Sequence, residues 1–584
     1  MKNKILTFLF LSFFFFANWS CTDLNEEVLD ESFSGLGQAE AVSGAIAPAY
    51  GQVRWVWRHT NYFGLQEIAS DEAILPYRGG TDWFDGGKYL ATHQHEITPG
   101  NDLVTDSWNE LTKNISRTVA AIEALRPLAD QGNNEAKGAL YEMIALRAYL
   151  NLLMLDSWGI AFRKESSTET SEILRRQEAI DYIQSELESV VNVINTNRGP
   201  GRLTKNAVWG FLARLHLNAA VYRDPYGTPN FTQEDMNRVI EYCDNIINSG
   251  KHNLSAEYFA LFNDDNNSNT EIIWSLDLRG VLNNEESRWT YWSIAGSVFG
   301  RPEFPSSDGT DGPAATPDYI QTWFDAYGDL EGAKNDARFY QVNNIIPAEL
   351  QDLTGISPAN DENHYYCIEA TQFEMDRGLL SGIQWGPRKG SDGKFLTCGG
   401  GTTVRIYPVI QTKGQGPDRN VAYVNHTLEV DFSNEGRRHN TGYRFSKYQF
   451  SRTSPNANNF SSVDLVMLRL GEIYLMRAEA KLRNGDSGGA LADVNFLRAS
   501  RNARPAQTPP ALSAIGIDIL YRERGFELYW EGLRRTDQIR FGRYEDSWVE
   551  KTSADVNDRL FPIPQRAIDG ASNIDGYLVQ NPGY

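Results

Sequence analysis

Residues 134–157 have the sequence NEAKGALYEMIALRAYLNLLMLDS, in which apolar residues recur at helical spacing. Residues three or four positions apart lie on one face of an α-helix, so this spacing predicts a helix. One apolar stripe runs through Ala136, Leu140, Ile144, Ala148 and Leu152. A second set of apolar side chains widens the stripe, which predicts a helix buried on two sides: Met143, Leu150 and Met154.

Similar spacing recurs towards both ends of the chain. It predicts further helices over 38–56, 107–128, 172–194, 204–221 and 234–249, and again over 464–484, 490–501 and 517–541. The helices come in pairs with Ala and Leu at the expected contacts, a pattern typical of stacked tetratricopeptide-like hairpins. The predicted fold class is therefore mainly α.

The middle of the chain, 255–460, has a different composition. It is rich in Gly, Asn, Asp and aromatic residues, and short apolar runs at 272–276 and 403–407 predict brief strands. We expect irregular loops here, inserted between two helical blocks. Long irregular insertions in compact proteins are usually functional, so this region is expected to form the ligand face.

The N-terminus has the pattern of a secretion signal. Lys2 and Lys4 precede an apolar stretch, 5–17, that is too short to span a bilayer. Cys21 follows directly and resembles the lipidated cysteine of bacterial lipoproteins, so 1–20 is predicted to be a lipoprotein signal peptide. Ordinary secretion with an unmodified Cys21 is the alternative. No later run is apolar enough to span a membrane, so lipid would be the anchor.

Composition excludes several classes of function. The 584 residues are 41% hydrophobic and 12% aromatic, which is a globular composition. The formal net charge of −21 argues against nucleic acid as a partner, because phosphate binding needs a basic surface. Three cysteines follow Cys21 without metal-binding spacing; secretion permits one disulfide, with Cys367–Cys398 as the candidate pair and Cys243 left over.

Several motifs occur in a fixed order along the chain: 70–72 (SDE), 145–149 (ALRAY), 201–205 (GRLTK), 468–480 (LRLGEIYLMRAEA), 521–528 (YRERGFEL), 561–564 (FPIP) and 580–584 (QNPGY). Together they resemble the SusD/RagB family of outer-membrane nutrient-binding lipoproteins, over essentially the whole mature chain. Read from the residues alone, the charges of 521–528 and Glu531 predict ion pairs between neighbouring helices rather than catalysis.

The resemblance implies a SusD-like α-α superhelix and a division of the chain into consecutive parts. These are a signal peptide (1–20), a lipidated Cys21 with a flexible tether (21–36), an N-terminal helical part (37–254), the loop-rich ligand face (255–460) and a C-terminal helical part (461–584).

The resemblance also implies a function. The protein would be lipid-anchored in the outer membrane of a Gram-negative bacterium, exposed at the cell surface, with a TonB-dependent, SusC-like transporter as its partner. Its ligand would be an oligosaccharide, and neither enzyme activity nor a cofactor is expected. Three alternatives stay open: binding of peptides or glycoprotein fragments, a purely assembly role on the transporter, and glycoside hydrolysis.

Aromatic residues in loops are the candidate ligand residues, because flat rings suit the C–H faces of sugars. Trp83 lies in a glycine-rich stretch, 78–87 (RGGTDWFDGG), whose carboxylates could accept hydrogen bonds from hydroxyls. A second aromatic cluster follows the turn at 283–286. The full set of expected ligand residues is Trp83, Trp289, Trp292, Tyr291, Tyr77, Arg78 and Asp82.

Other chemistry is weakly indicated. His93 and His95 would share one side of a strand, as in some metal sites, and 264–267 (DDNN) could hold calcium through oxygens. Neither stretch has a complete ligand set, so no metal is predicted. Cys398 precedes three glycines but lacks the Lys-Ser/Thr of a phosphate loop.

Overall fold

The computed structural model of the chain describes residues 37–77, 85–197, 199, 201–278, 288–413, 417–432, 441–457 and 460–584. Within these residues there are 16 α-helices and 14 short strands. The prediction of a mainly α protein with short strands in the middle is therefore confirmed.

Eight helices form the N-terminal part: α1 Gln38–Val56, α2 Tyr62–Ile68, α3 Lys88–Gln94, α4 Asp102–Asp130, α5 Asn134–Trp158, α6 Arg176–Val191, α7 Lys205–Arg223 and α8 Gln233–Asn248. Three lie in the middle: α9 Pro317–Tyr327, α10 Leu330–Ala333 and α11 Ala348–Gln351. Five follow residue 460: α12 Leu470–Arg483, α13 Ser487–Ser500, α14 Ile517–Leu528, α15 Arg534–Phe541 and α16 Gln565–Gly570.

Pairs of long helices form the scaffold. The hairpin of α4 and α5 shows how the sequence sets its ends: the Asn101 and Asn133 side chains accept hydrogen bonds from the first free N–H groups of each helix. Gly159, with φ of 68°, ends α5 in the left-handed conformation that glycine adopts most easily. Helix α7 pairs with α8 and α12 with α13, and α12 also packs on α8, so the C-terminal block continues the N-terminal stack.

Helix α5 is the centre of this scaffold. It is long and apolar enough to cross a membrane by length and composition, but 89% of that window is buried inside the protein. The predicted burial on two sides is thus confirmed. No other helix among the described residues meets the same criterion.

The strands form six small antiparallel sheets. Their bounds are β1 Ala73–Ile74, β2 Ile160–Arg163, β3 Glu172–Arg175, β4 Ile272–Leu276, β5 Ala314–Ala315, β6 Tyr340–Gln341, β7 Tyr366–Glu369, β8 Arg377–Leu380, β9 Gly382–Ile383, β10 Trp385–Pro387, β11 Thr403–Pro408, β12 Asn425–His426, β13 Arg444–Ser446 and β14 Leu465–Arg469. The sheet orders are β1-β5, β2-β3, β4-β14, β12-β9, β10-β11-β7 and β13-β8-β6.

Three predicted helices have different bounds in the structure. Residues 172–175 form β3 on β2, and residues 465–469 form β14 on β4, each directly before a helix. The stretch 517–541 is two helices, because Trp530 and Gly532 take positive φ values of 57° and 72° and turn the chain between them. The Trp530 N–H then donates to the buried Glu72 carboxylate at 2.6 Å.

Buried ion pairs join neighbouring helices, as the charged motifs predict: Arg524 of α14 contacts Asp537 of α15 at 2.7 Å. Others join the C-terminal helical block to the ligand-face region. Arg469, at the end of β14, is fully buried and contacts three carboxylates, with N–O distances of 3.1 Å to Glu271, 2.7 Å to Glu527 and 2.8 Å to Glu531. Arg501 contacts Glu271 and Glu527 as well. One cluster therefore connects residues far apart in sequence, and it lies too deep for a ligand to reach.

The candidate disulfide is present. Cys367 in β7 is bonded to Cys398, in the turn that leads to β11, across 31 residues of sequence. Cys243 is a free, buried thiol in α8. The bond holds the glycine-rich turn against the sheet of the ligand-face region.

Candidate ligand-binding site

The sequence-predicted ligand residues divide into two groups. Arg78, Asp82 and Trp83 lie outside the described residues, as does the predicted lipidation site Cys21. Tyr77 is described and is half-buried where the chain leaves β1. The aromatic cluster at 289–292 is described in full.

That cluster is buried, which corrects the expectation that it presents a flat ring to a ligand. Trp289 is 1% exposed, Tyr291 3% and Trp292 0%. Trp289 stacks on Phe63 with centroids 3.8 Å apart, and its indole N–H donates to the Trp57 carbonyl at 2.7 Å. A ring packed on both sides has no face left for a sugar.

Helix α2 and the turn after α14 explain this burial. Phe63 and Trp530 lie at right angles with centroids 5.1 Å apart, and Trp292 lies 5.8 Å from Trp530. The Trp530 indole N–H donates to the Trp289 carbonyl at 3.0 Å. These rings come from distant parts of the chain and together form an aromatic core.

Above this core, Trp55 in the last turn of α1 is half-buried between two arginines. The guanidinium carbon of Arg58 is 4.3 Å from the ring centroid, and that of Arg54 is 5.8 Å away. Asn61 donates to the Trp55 carbonyl at 2.6 Å and fixes the turn after α1. Guanidinium groups that stack on rings keep N–H donors at their edges, so this surface combines apolar and hydroxyl-binding groups.

The described ends of the two predicted loops meet at Tyr89. Burial raises the pKa of Tyr89, the negative charge of Asp85 raises it further, and the positive charge of Arg288 lowers it. Asp85 follows residues 78–84 and Arg288 follows residues 279–287, so both segments join the chain beside the same side chain. We call this surface the α1–α3 patch: Trp55, Arg58, Asp85, Lys88 and Arg288.

A second aromatic surface lies on the sheet β10-β11-β7. Trp385 is half-buried, with Tyr366 and His364 at centroid distances of 6.4 and 5.9 Å. Tyr365, also half-buried, lies 5.1 Å from Tyr407. The Cys367–Cys398 bond fixes the strand that carries these rings. Partly exposed aromatic side chains on a braced sheet are suited to stacking on an apolar ligand face.

Comparison with known proteins identifies the scaffold. The model of the SusD family matches residues 232–584. The chain belongs to the SusD family. The starch-binding protein SusD of Bacteroides thetaiotaomicron is 28% identical over 463 residues, which cover 76% of this chain and 72% of that protein. SusD-like protein P25 of Formosa agariphila is 22% identical over 430 residues, covering 71% and 64% of the two chains.

Solved structures share the SusD-family fold. Surface glycan-binding protein A from Bacteroides thetaiotaomicron, in complex with laminarihexaose, has a TM-score of 0.62 at 17% identity, covering 93% of this chain and 99% of that one. A laminarin-binding SusD-like protein has a TM-score of 0.61 at 15% identity, covering 94% and 100%. The resemblance and the fold expected from it are confirmed.

The sequence reasoning missed three described aromatic residues that are partly exposed: Trp55, Tyr365 and Trp385. Trp55 lies inside a helical pattern, where a tryptophan is ordinarily a core residue. The sequence feature that could have identified Trp55 as a surface residue is the pair of arginines one and three positions away, because two guanidinium groups can cover a ring from two sides. Tyr365 and Trp385 lie in the predicted ligand-face region, and the run His364-Tyr365-Tyr366 was a signal that could have located them.

The weak metal-site pattern has a structural explanation. His93 lies in α3 and His95 ends it, so the two imidazoles do not share a strand. His93 bonds the carbonyls of Ala73 and Val549 at 3.1 and 2.8 Å, and burial lowers the pKa of both histidines. Asp264 accepts hydrogen bonds from Ser451 and from the Arg452 N–H, so its oxygens already have partners.

Proposed function

We propose that this member of the SusD family is a cell-surface glycan-binding lipoprotein that captures oligosaccharides. The observation that carries the proposal is the family match over residues 232–584. It is supported by the ligands of similar proteins, which are starch for one and laminarin-type glucans for others. The partly exposed aromatic surfaces supply the stacking groups that such ligands need.

The primary binding surface in this proposal is the loop 78–84 beside the α1–α3 patch. Trp83 would provide the stacking ring, with Arg78, Asp82 and Tyr77 as hydrogen-bonding neighbours. The described surroundings support this proposal, because Asp85 and Arg288, the first described residues after the two predicted loops, both act electrostatically on Tyr89. Stacking and hydroxyl hydrogen bonds involve no net charge, so affinity for a neutral glycan should change little with salt.

The protein acts as a binder without turnover in this proposal. Two described carboxyl groups, Glu67 and Glu72, share a hydrogen bond, so they are closer together than the about 5 Å or more that separates the two carboxyl groups of a glycosidase. Both are 1% exposed, and they accept hydrogen bonds from the Gly532 and Trp530 N–H groups. A glycan cannot reach them, so incubation should leave its chain length unchanged.

Anchoring and delivery complete the proposal. Lipid on Cys21 would hold the protein at the outer membrane, and the bound glycan would pass to a TonB-dependent, SusC-like transporter. Cys21→Ala should abolish fatty-acid labelling and release the protein from membranes. Co-purification of the lipidated protein with a transporter of that class would support the partner; recovery without one would contradict it.

Calorimetry tests the binding function. Residues 22–584 are titrated with plant, host and microbial polysaccharides, and Trp83→Ala should weaken binding of the recognised glycan by about tenfold or more. Trp209→Ala is the matched control, since this half-buried ring lies on α7 under Lys205. Loss of binding in Trp385→Ala but not Trp83→Ala would move the site to the β10-β11-β7 sheet. Failure with every glycan would overturn the proposal and favour peptides or an assembly role.

A further inference from the structure

A cleft of about 420 Å³ opens in the ligand-face region, away from the α1–α3 patch. Its walls are the segment around Phe299, the hairpin that follows β10, and the chain that leaves β11. Pro387, Pro408 and Val409 make one wall apolar. Phe299 packs edge-on against Phe395 with centroids 5.3 Å apart.

Two lysines of the cleft lack a carboxylate partner. Neither Lys389 nor Lys413 has a carboxylate oxygen within 4.0 Å among the described residues. Lys389 lies 4.3 Å from the Phe299 centroid and donates to the Pro305 carbonyl. Arg388, by contrast, is neutralised by Asp361, with two N–O distances of 2.7 Å.

One carboxylate, that of Asp308, lines the same cleft. Burial raises the pKa of Asp308, while the positive charges of Lys413 and Lys389 lower it, so both ammonium groups act on this position. Asp311 is buried and does not line the cleft, although its Oδ2 lies against Gly296 beside the Lys413 side chain and offsets part of the Lys413 charge. With Arg388 neutralised, the lining has two positive charges and one negative charge.

This local excess is opposite in sign to the rest of the molecule, whose net charge is −21. An acidic surface repels anions, so an anionic ligand is attracted mainly where positive groups cluster in a recess. Thr412 and Asn420 add polar groups to the lining, and Phe299 adds an aromatic ring. Two lysines, polar side chains and an aromatic ring in one cleft are suited to a sugar that also carries an acidic group.

We propose that this cleft binds the acidic group of an anionic saccharide, a carboxylate or a sulfate, between Lys389 and Lys413. The inference rests on the proposed glycan-binding function and adds a second, charge-selective site to it. Asp308 would accept a hydrogen bond from a hydroxyl and would disfavour a ligand with two adjacent acidic groups. Binding here should weaken with salt, unlike binding at Trp83.

The test uses matched probes against residues 22–584. Tetragalacturonate is compared with its methyl ester, and a sulfated dextran oligosaccharide with unsulfated dextran, at about 50 and about 300 mM NaCl. We expect at least one acidic probe to bind more tightly than its uncharged partner and to lose affinity at the higher salt. The responding pair identifies carboxylate or sulfate as the recognised group.

Variants that should change the affinity in opposite directions make the test specific. Lys389→Met and Lys413→Met should each weaken binding of the acidic probe about tenfold, and Asp308→Asn should strengthen it. Lys394→Met is the control, because Lys394 is exposed on the same hairpin but does not line the cleft. Equal binding of acidic and uncharged probes, or equal effects of the Lys394 and Lys389 variants, would overturn the inference. Neutral glycan binding through Trp83 would survive that result, so the two proposals fail separately.

Discussion

The Glu67 and Glu72 side chains form a buried carboxyl pair at the joint between α2 and the turn after α14. Burial raises the pKa of Glu67 to about 7. Burial and the neighbouring charge of Glu67 raise the pKa of Glu72 well above its usual value. Glu67 Oε2 has no donor among the described residues, so a proton on Glu72 would supply the missing hydrogen bond. Because two adjacent buried carboxylates repel, the folded protein holds a proton here that the unfolded chain releases.

Stability should therefore depend on pH in a defined direction. A carboxyl group with a raised pKa contributes its full stability below the unfolded value, near 4.5, and loses it as the pH rises through about 7. Glu72→Gln supplies a permanent N–H to Glu67 and still accepts from the Trp530 N–H. The variant should match the parent at about pH 4 and exceed its free energy of unfolding by ~3 kcal/mol at about pH 8.

Urea unfolding at several pH values measures this difference, and comparison with the parent cancels the opposite contribution of the buried histidines. Glu550→Gln changes an exposed carboxylate and should leave the pH profile of the parent unaltered. A Glu72→Gln profile parallel to that of the parent would show that the pair does not hold the extra proton.

Single residues also mark the limit of sequence interpretation. The composition around Trp289 and Trp292 resembles an exposed loop, with Arg288 and a polar turn before it. What buries these rings is Phe63 and Trp530, which are distant in sequence and meet them only in the folded chain. Aromatic residues in irregular segments therefore cannot be sorted into core and surface by local context alone.

At the scale of elements, periodicity located the long helices because their apolar faces are continuous. It failed where a strand runs directly into a helix, as at β14 and α12, since Leu465 and Leu468 have the same spacing as a helical face. β14 becomes a strand because β4 pairs with it. Such pairing across the chain is invisible in either segment, whereas the short strands at 272–276 and 403–407 could be predicted from their own sequences.

The disulfide should stabilise one element rather than the whole protein. It closes a loop with a separation of 31 residues, which is worth about 4 kcal/mol in chain-entropy terms. Cys367→Ser with Cys398→Ser should lower amide-exchange protection in β7 and β11 while leaving α12 unchanged. Cys243→Ala is the control, because this substitution leaves the disulfide intact. Adding a reductant should therefore change the amide exchange of this variant in the same way as it changes that of the parent. Equal loss of protection in α12 would show that the bond supports the global fold.

On the scale of the molecule, the ligand-face region and the C-terminal helical block share one buried ion cluster, and Arg214 of α7 joins the N-terminal block to the same C-terminal block by contacting Glu472 at 2.6 Å. Lys447, from the middle region, donates to Glu531 at 2.6 Å, and Glu531 also accepts from Arg469. Burial alone would raise the pKa of Glu527, but the charges of Arg501 and Arg469 hold it well below its usual value. The blocks are separate in sequence yet interlocked in space, so we expect them to unfold together.

Arg469→Met tests this coupling. The substitution leaves the buried carboxylates of Glu271, Glu527 and Glu531 short of one partner, a loss that costs about 3–5 kcal/mol for buried pairs. The control, Arg163→Met, removes an exposed pair with Glu172 and should cost less than about 1 kcal/mol. Urea unfolding is followed by far-UV circular dichroism and by tryptophan fluorescence, and both signals should shift together in the Arg469 variant. Two separate unfolding transitions would mean that the insertion and the helical blocks are independent units. If buried ion pairs hold these parts together, removing Arg469 lowers the stability of all of them in a single transition.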